Sequence, residues 1–338
     1  MKVSELGEFG LIDRLAELLA AHGTAAQADR LYLGIGDDAA VWLQDGSALL
    51  ATTDTLVEGV HFVPARTSWR DLGWKALAVN VSDIAAMGGR PELALVTLML
   101  RGDVEVEDID DLYRGLAEAA EAMGTVIAGG DIVRAEELAI SVTATGRAEL
   151  DEGGQPKLLR RNGAREGNVI AVTGSLGGAV GGLRVVQGEQ VDDQASLALL
   201  ERHFRPRPRV EAGVAAIASG IRCGIDVSDG LIQDLGQICK ASRLAAVVWQ
   251  DKLPIDDAVR SSFDEREAIR IAATGGEDYE LLLTGTQEQI EVLAGQCDVP
   301  ITVVGEMVIA AEHVATLLDE GGKPVELPAS GWDHLRGS

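Results

Sequence analysis

Between Ala148 and Asn168 the chain loses its apolar rhythm. Glu149-Leu150-Asp151-Glu152-Gly153-Gly154-Gln155-Pro156-Lys157 and Arg160-Arg161-Asn162-Gly163 are charged and rich in turn formers, and neither could close a core. On both sides of this break, β-like and helical patterns interleave. Before it, helical spacing marks Glu8–Ala21, Trp69–Met87 and Val106–Met123. The strand-like runs there are Ala39–Leu43, Ala48–Thr53, Leu93–Leu100, Val126–Ala128 and Leu138–Ala144. After it come strands at Val169–Thr173, Cys223–Val227, Ala245–Trp249, Tyr279–Thr284 and Ile301–Val304. Helices are expected near Leu176–Gln187, Arg209–Ser219 and Leu231–Ala241. One core rarely serves 338 residues. The break therefore predicts two domains, residues 1–148 and 149–338. Because the elements mix without strict βαβ order, each domain is expected to be α/β, an α+β sandwich with a mixed or antiparallel sheet packed with helices.

Charge narrows the possible partners. The chain carries 54 Asp and Glu against 29 Lys and Arg, a net charge of −25. Such a surface repels phosphate backbones and anionic lipids, so neither nucleic acid nor membrane is expected as a partner. An anionic substrate would need divalent cations between it and the protein. No apolar run reaches the roughly 18 residues that span a bilayer. The opening Met1-Lys2-Val3-Ser4-Glu5 lacks the apolar block of a signal peptide, so a cytoplasmic location is expected. Cys223, Cys239 and Cys297 form no Cys-x-x-Cys pair and read as reduced small hydrophobes.

The chemistry-bearing segments are carboxylates beside glycine or hydroxyl residues at the ends of β-like runs. They are Gly36-Asp37-Asp38, Thr52-Thr53-Asp54-Thr55, Asn80-Val81-Ser82-Asp83, Gly129-Gly130-Asp131, Asp226-Val227-Ser228-Asp229-Gly230 and Gly275-Gly276-Glu277-Asp278. Singly, each has an ordinary reading as a turn pair or helix cap. Asp83 is harder to place, because Ala76, Leu77, Val79, Ile84, Ala85 and Met87 leave its helix little polar face. A carboxylate buried there needs a cation or donors. Clustered oxygen ligands with no cysteine select a hard ion, magnesium before zinc. A P-loop sequence is absent. Gly174-Ser175-Leu176-Gly177-Gly178 is either a glycine-rich turn or a cradle of amides for an anion at a helix N-terminus. The residues thus predict metal-assisted phosphoryl transfer on a fold without a P-loop.

Taken in order, the segments resemble the thiamine-monophosphate kinases, within the aminoimidazole ribonucleotide synthetase-like superfamily. The resemblance runs from Gly7-Glu8-Phe9 to Gly331-Trp332-Asp333. It rests on Gly34-Ile35-Gly36-Asp37-Asp38-Ala39, the run Thr53 to Phe62, the run Lys75 to Gly88, Ile225 to Leu231 and Gly275 to Leu281. It implies ATP-dependent phosphorylation of thiamine monophosphate to thiamine diphosphate, with several Mg2+ ions, in a homodimer.

By motif, the resemblance makes Asp38, Thr52, Thr53, Asp54, Asp83, Asp131, Asp226 and Asp229 the metal shell. It places ATP at Gly130, Asp131, Arg161 and Ser228, with Tyr113 a further candidate, and thiamine phosphate at His61, Glu277 and Trp332. Thr52 stands where the family often has Ser, and Trp332 where a smaller aromatic is common. Without the resemblance, His61 reads as a core histidine, Trp332 as a terminal anchor and Arg161 as a linker charge. Competing functions are another ATP-using synthetase of the superfamily, a phosphohydrolase, and a nucleotide-binding protein without turnover. Neither an N-terminal nucleophilic cysteine nor a C-terminal cysteine tail, the marks of two sister families, is found. The acceptor phosphate is already anionic near neutral pH, so direct in-line transfer without a general base or phospho-enzyme is expected.

Overall fold

The computed structural model describes residues 5, 7–21, 31–310, 312 and 314–327. After helix α1 (Glu8–Ala21) come strands β1 (Leu31–Leu33), β2 (Ala40–Gln44) and β3 (Ser47–Val57). Helix α2 (Trp69–Ala86), strand β4 (Arg90–Leu100), helix α3 (Val106–Met123) and strands β5 (Val126–Arg134) and β6 (Ala139–Ala148) follow. The six strands form one sheet in the order β1-β2-β3-β6-β4-β5. Only β4 and β5 run parallel, joined by the crossover helix α3, so the sheet is mixed. Asp45 and Gly46, both at positive φ, close the β2–β3 hairpin with the two-residue turn that suits twisted strands.

The rest of the chain builds a second six-stranded sheet. Its strands are β7 (Val169–Thr173), β8 (Cys223–Asp226), β9 (Ala245–Trp249), β10 (Leu281–Gly285), β11 (Ile301–Val308) and β12 (Ala315–Leu318). They lie in the order β12-β9-β11-β7-β10-β8, with only β12 and β9 parallel. Helices α4 (Gly178–Gln187), α5 (Asp193–Phe204), α6 (Val210–Ala218), α7 (Leu231–Ser242), α8 (Asp257–Ser262), α9 (Glu265–Thr274) and α10 (Gln287–Ala294) surround it. Alternate residues of the central strands serve two cores, as the period of two demands. Ile170, Val172 and Leu282 pack with Leu231, Leu235 and Ile271. Ala171, Leu281 and Leu283 face Ala216, Ile217 and Ile290 on the other side.

Helix α2 sits between these two bodies. Ser68 caps it by accepting the Asp71 N–H, and thirteen of its residues are buried, Lys75, Asn80 and Ser82 among them. On one flank, Leu72, Ala76, Leu77 and Val81 pack with Leu112 and Leu116 of α3 and with Val96 and Val142 of the first sheet. At its C-terminal end, Ala86 joins the core of the second body. Trp74 Nε1 also donates to Pro206 O at 2.8 Å. A helix buried on all sides shows no amphipathic stripe, and whatever polar groups it carries must find partners inside.

Three expectations change. Strand β5 runs through Gly129-Gly130-Asp131, which therefore lies inside a strand and not at its end. The apolar run Leu93–Leu100 is not wholly buried, since Leu93 and Leu95 are about half exposed. Helices α5, α8, α9 and α10 and strands β1 and β12 were not foreseen, because they are short or carry mixed periodicity.

Helices α2 and α3 approach so closely that side chains are excluded where they cross. A Cβ on Gly73 would lie 2.0 Å from Leu112 O, and one on Gly115 would lie 1.8 Å from Arg70 O. Gly115→Ala should therefore lower stability by about 1–3 kcal/mol by forcing the helices apart. The check is the urea midpoint. An unchanged midpoint would mean that the crossing relaxes without cost.

Candidate functional site

The inner end of α2 meets three segments that each bring an acid. Asp83 comes from α2, Asp38 from the loop before β2, and Asp226 from the last residue of β8. One oxygen of each lies within 4.8 Å of the others. The side chains of Asp37 and Asp38 are only 4% and 2% exposed. Hydroxyls from two elements serve the cluster: Thr52 Oγ1 donates to Asp83 Oδ2, and Ser82 Oγ donates to Asp226 Oδ2 at 2.6 Å. The Asp54 N–H donates to Asn80 Oδ1 at 3.0 Å, pinning β3 to α2. Asn80 in turn donates to Ala76 O at 3.1 Å.

Positive charge is scarce here. Arg161 reaches in from the linker, donating from Nε to Asp38 Oδ1 at 3.1 Å and from Nη2 to the same oxygen. Its backbone N–H donates to Asp37 Oδ1 at 3.2 Å, and Arg160 Nε lies 3.7 Å from Asp37 Oδ2. Asp38 Oδ2 is buried with no hydrogen-bond partner. Burial, then the charges of Asp54, Asp226 and Asp38, push the Asp83 carboxyl well above its ordinary range. Burial and Asp38 push Asp226 up to about 7, against Ser82 and Arg161. Burial and the same neighbour push Asp37 up to about 6. An all-oxygen donor set with excess negative charge and an orphaned buried oxygen fits a hard divalent cation.

A loop beside the cluster is shaped by a carboxylate that sequence reasoning missed. Asp234 of α7 is buried, and its Oδ2 accepts the N–H groups of Ser228, Asp229 and Gly230, each at 3.1 Å. This folds residues 226–230 back on the helix start and fixes the orientation of Ser228 and Asp229. Asp229 Oδ2 accepts from Gln233 at 3.2 Å. The Ser228 carbonyl accepts the Glu277 N–H at 2.8 Å, which brings the Glu277 loop alongside.

Glu277 has φ 67 and Tyr279 φ 51, left-handed values uncommon for residues with a Cβ. The side chain of Glu277 is 28% exposed and lies 2.8 Å from Nζ of Lys75, which is only 3% exposed. Nδ1 of the buried His203 is 3.7 Å from its other oxygen. Burial would raise the Glu277 carboxyl, but the Lys75 ammonium above all holds it below its ordinary value. Burial and Lys75 lower His203 to about 4, so it is neutral near pH 7. His61 Nδ1 accepts the Val57 N–H at 3.0 Å, which leaves Nε2 to carry the proton of the neutral ring.

Thr53 and Asp131 are not brought to the three converging carboxylates. Thr53 alternates away from Thr52 and Asp54, and its Oγ1 donates to Val142 O and accepts from Thr143, so its side chain misses the cluster. Asp131 lies on β5 opposite Thr97, exposed, its Oδ1 accepting the Ile132 N–H. It is not among the three converging carboxylates. Neighbouring Gly130 lies so close to β4 that a Cβ would meet Val96 O at 1.8 Å. Tyr113 is 38% exposed on α3. Trp332 lies outside the described residues. The glycine-rich segment 174–182 does cradle an anion, but the anion is the chain's own: Asp278 accepts the N–H groups of Gly177 at 2.6 Å and Ala179 at 3.1 Å.

Comparison with known proteins identifies the family. The family model described as AIR synthase related protein, N-terminal domain, matches residues 36–148, and the corresponding C-terminal domain matches residues 165–317. The thiamine-monophosphate kinase of Haemophilus influenzae is 34% identical, covering 98% of this chain and 99% of its own length. That of Escherichia coli K12 is 36% identical, covering 97% and 98%. A solved structure described as AaThiL complexed with AMPPCP and TMP superposes with a TM-score of 0.82 at 32% identity, covering 99% of both chains. The chain belongs to the thiamine-monophosphate kinase family of the AIR synthase related proteins.

A group whose pKa rises on folding favours the fold at low pH and loses that contribution as pH climbs through the folded value. Asp226 rises from 3.8 to about 7. In EDTA, wild type should therefore lose Tm relative to Asp226→Asn between pH 5 and pH 8. Added Mg2+ should restore Tm at pH 8 in wild type only. A scanning-calorimetry difference that grows in the opposite sense would contradict the charge balance described here.

Proposed function

We propose that this chain transfers the γ-phosphoryl group of ATP to thiamine monophosphate, forming thiamine diphosphate. The observation that carries the reading is the convergence of Asp38, Asp83 and Asp226 beside Thr52, Ser82 and Arg161. Full-length likeness to kinases of that name supports it, as does the likeness to a structure holding AMPPCP and TMP. Asp38, Asp54, Asp83, Asp226 and Asp229 would hold magnesium, with the Thr52 hydroxyl beside them. Magnesium bound there supplies positive charge to phosphate oxygens and stabilises the charge that shifts during transfer.

The protein's own groups do the rest. Arg161 neutralises part of the acid cluster through Asp38, and with Ser228, Gly130, Asp131 and Tyr113 it would meet ATP. Glu277 and His61 would hold the acceptor, with Trp332 as a further contact. The acceptor phosphate needs no base, since its second pKa is about 6. Nδ1 of His61 is engaged by the Val57 N–H and is not offered to substrate as a base. Transfer is then direct and in line, with alignment as the main contribution of the site.

The same proposal includes a boundary after Ala148, supported by two sheets that share no strand. It also includes a cytoplasmic setting, consistent with three free cysteines. No helix among the described residues is long and apolar enough to cross a membrane. A homodimer is supported by the outer face of the first sheet, where Leu93, Leu95, Val126 and Val133 are 41–58% exposed. Strand β5, at the sheet edge, offers unpaired backbone groups there as well.

Two measurements test these readings. Incubation with Mg-ATP and thiamine monophosphate should yield thiamine diphosphate, and Asp83→Asn should cut turnover by about a hundredfold or more while the protein stays folded. Release of inorganic phosphate without thiamine diphosphate, or normal turnover in the variant, would defeat the assignment. Leu95→Glu should convert a dimer to a monomer in analytical ultracentrifugation, and an unchanged sedimentation coefficient would remove this face from consideration.

A further inference from the structure

Helix α2 contributes a second charged group, Lys75, two turns before Asp83 and absent from every role assigned above. Its ammonium is buried at 3% exposure, a position lysine takes only with a partner. The partner is Glu277 Oε1 at 2.8 Å. The contact is an ion pair by distance whose angle falls short of hydrogen-bond geometry. Glu277 is the only member of the trio that reaches solvent, with Lys75 and His203 behind it at 3% and 6% exposure. Its backbone is held at positive φ by hydrogen bonds from Glu277 N–H to Ser228 O and from Tyr279 N–H to Val227 O, 2.8 and 2.9 Å long. The carboxylate is thus fixed from the loop side by strained backbone and from the core side by a cation on the other body.

We propose that Lys75 is the positioning residue for acceptor recognition: it anchors an ionised Glu277 facing the thiamine end of the substrate. This inference rests on the acceptor role given to Glu277 in the proposed function. Thiamine phosphate carries a cationic thiazolium and an aminopyrimidine with N–H donors. An ionised, immobile carboxylate complements both better than a neutral or swinging one. Lys75 itself, hidden behind Glu277, does not touch the substrate.

Steady-state kinetics of the full chain test this. Lys75→Met should raise the KM for thiamine monophosphate about tenfold or more, with kcat and the KM for ATP changed by less than about threefold. Glu277→Gln should behave alike, and the double variant should match it within about twofold, because the two residues act as one unit. An unchanged acceptor KM in Lys75→Met would overturn the proposal. So would a loss confined to kcat or to ATP, or a double variant tenfold worse than Glu277→Gln. Should Lys75→Met fail to fold by circular dichroism, the comparison of Glu277→Gln with the double variant, which leaves no unpaired charge, decides the matter. If wild type makes no thiamine diphosphate, the proposed function fails separately, and calorimetric titration of wild type and double variant with thiamine monophosphate still reads the role of Lys75. Equal affinities there would overturn it.

Discussion

The structure is organised around buried carboxylates that lack enough positive charge of their own. Asp38, Asp83 and Asp226 converge within 4.8 Å, with Asp54 close enough to raise two of them further. Arg161 meets the group through Asp38. Like charges packed this tightly in an apolar setting are costly, and no hydrophobic replacement would leave them in place by chance. Hydroxyls from Thr52 and Ser82 ease the cost without removing it. What remains is an excess of negative charge that a hard divalent cation would balance.

Gathering that charge shaped helix α2. An exposed helix could not carry Lys75, Asn80, Ser82 and Asp83 into one site, because at helical spacing they spread over more than one face. Burial on all sides turns this spread to use. Asn80 fastens β3, Ser82 and Asp83 reach the acid cluster, and Lys75 pairs with the Glu277 loop of the other body. The close crossing at Gly73 and Gly115 then fixes the axis of the helix. Both halves of the chain supply the site, and α2 holds them in register.

Much of this was legible in the sequence where the signal is local. The two sheets, the linker and the carboxylate segments follow from periodicity and turn chemistry, and Asp83 stood out because its helix had no polar face to spare. Side-chain partners were not legible, since they depend on how distant segments dock. Lys75 and Glu277 are 202 residues apart in sequence, so nothing local announces their pairing. Thr53 shows a different limit: a strand alternates faces, so Thr52-Thr53-Asp54 does not turn all three side chains to one side. Asp131 was read as ending a strand because Gly129-Gly130 looks like a turn, whereas Gly130 instead allows β5 to press against β4. Asp234 carried a visible hint, four residues after Gly230 on the first turn of a helix, but a lone helical acid is usually solvated.

The glycine-rich start of α4 meets an anion of the chain's own. In P-loop and dinucleotide folds, such a strand-to-helix turn offers its amides to phosphate. Here the amides of Gly177 and Ala179 are already taken by Asp278, whose carboxyl burial pushes up to about 7. That arrangement locks the loop 275–280, with Glu277 turned to Lys75 and Glu280 bound by Arg209 and Thr173. Successive acids of one short loop are each tied to a different element, which accounts for the left-handed backbone at 277 and 279. An internal anion in the cradle removes the usual helix-terminus site for phosphate at this turn. The glycine motif that looks most like a nucleotide site therefore acts as the support for the loop that carries Glu277.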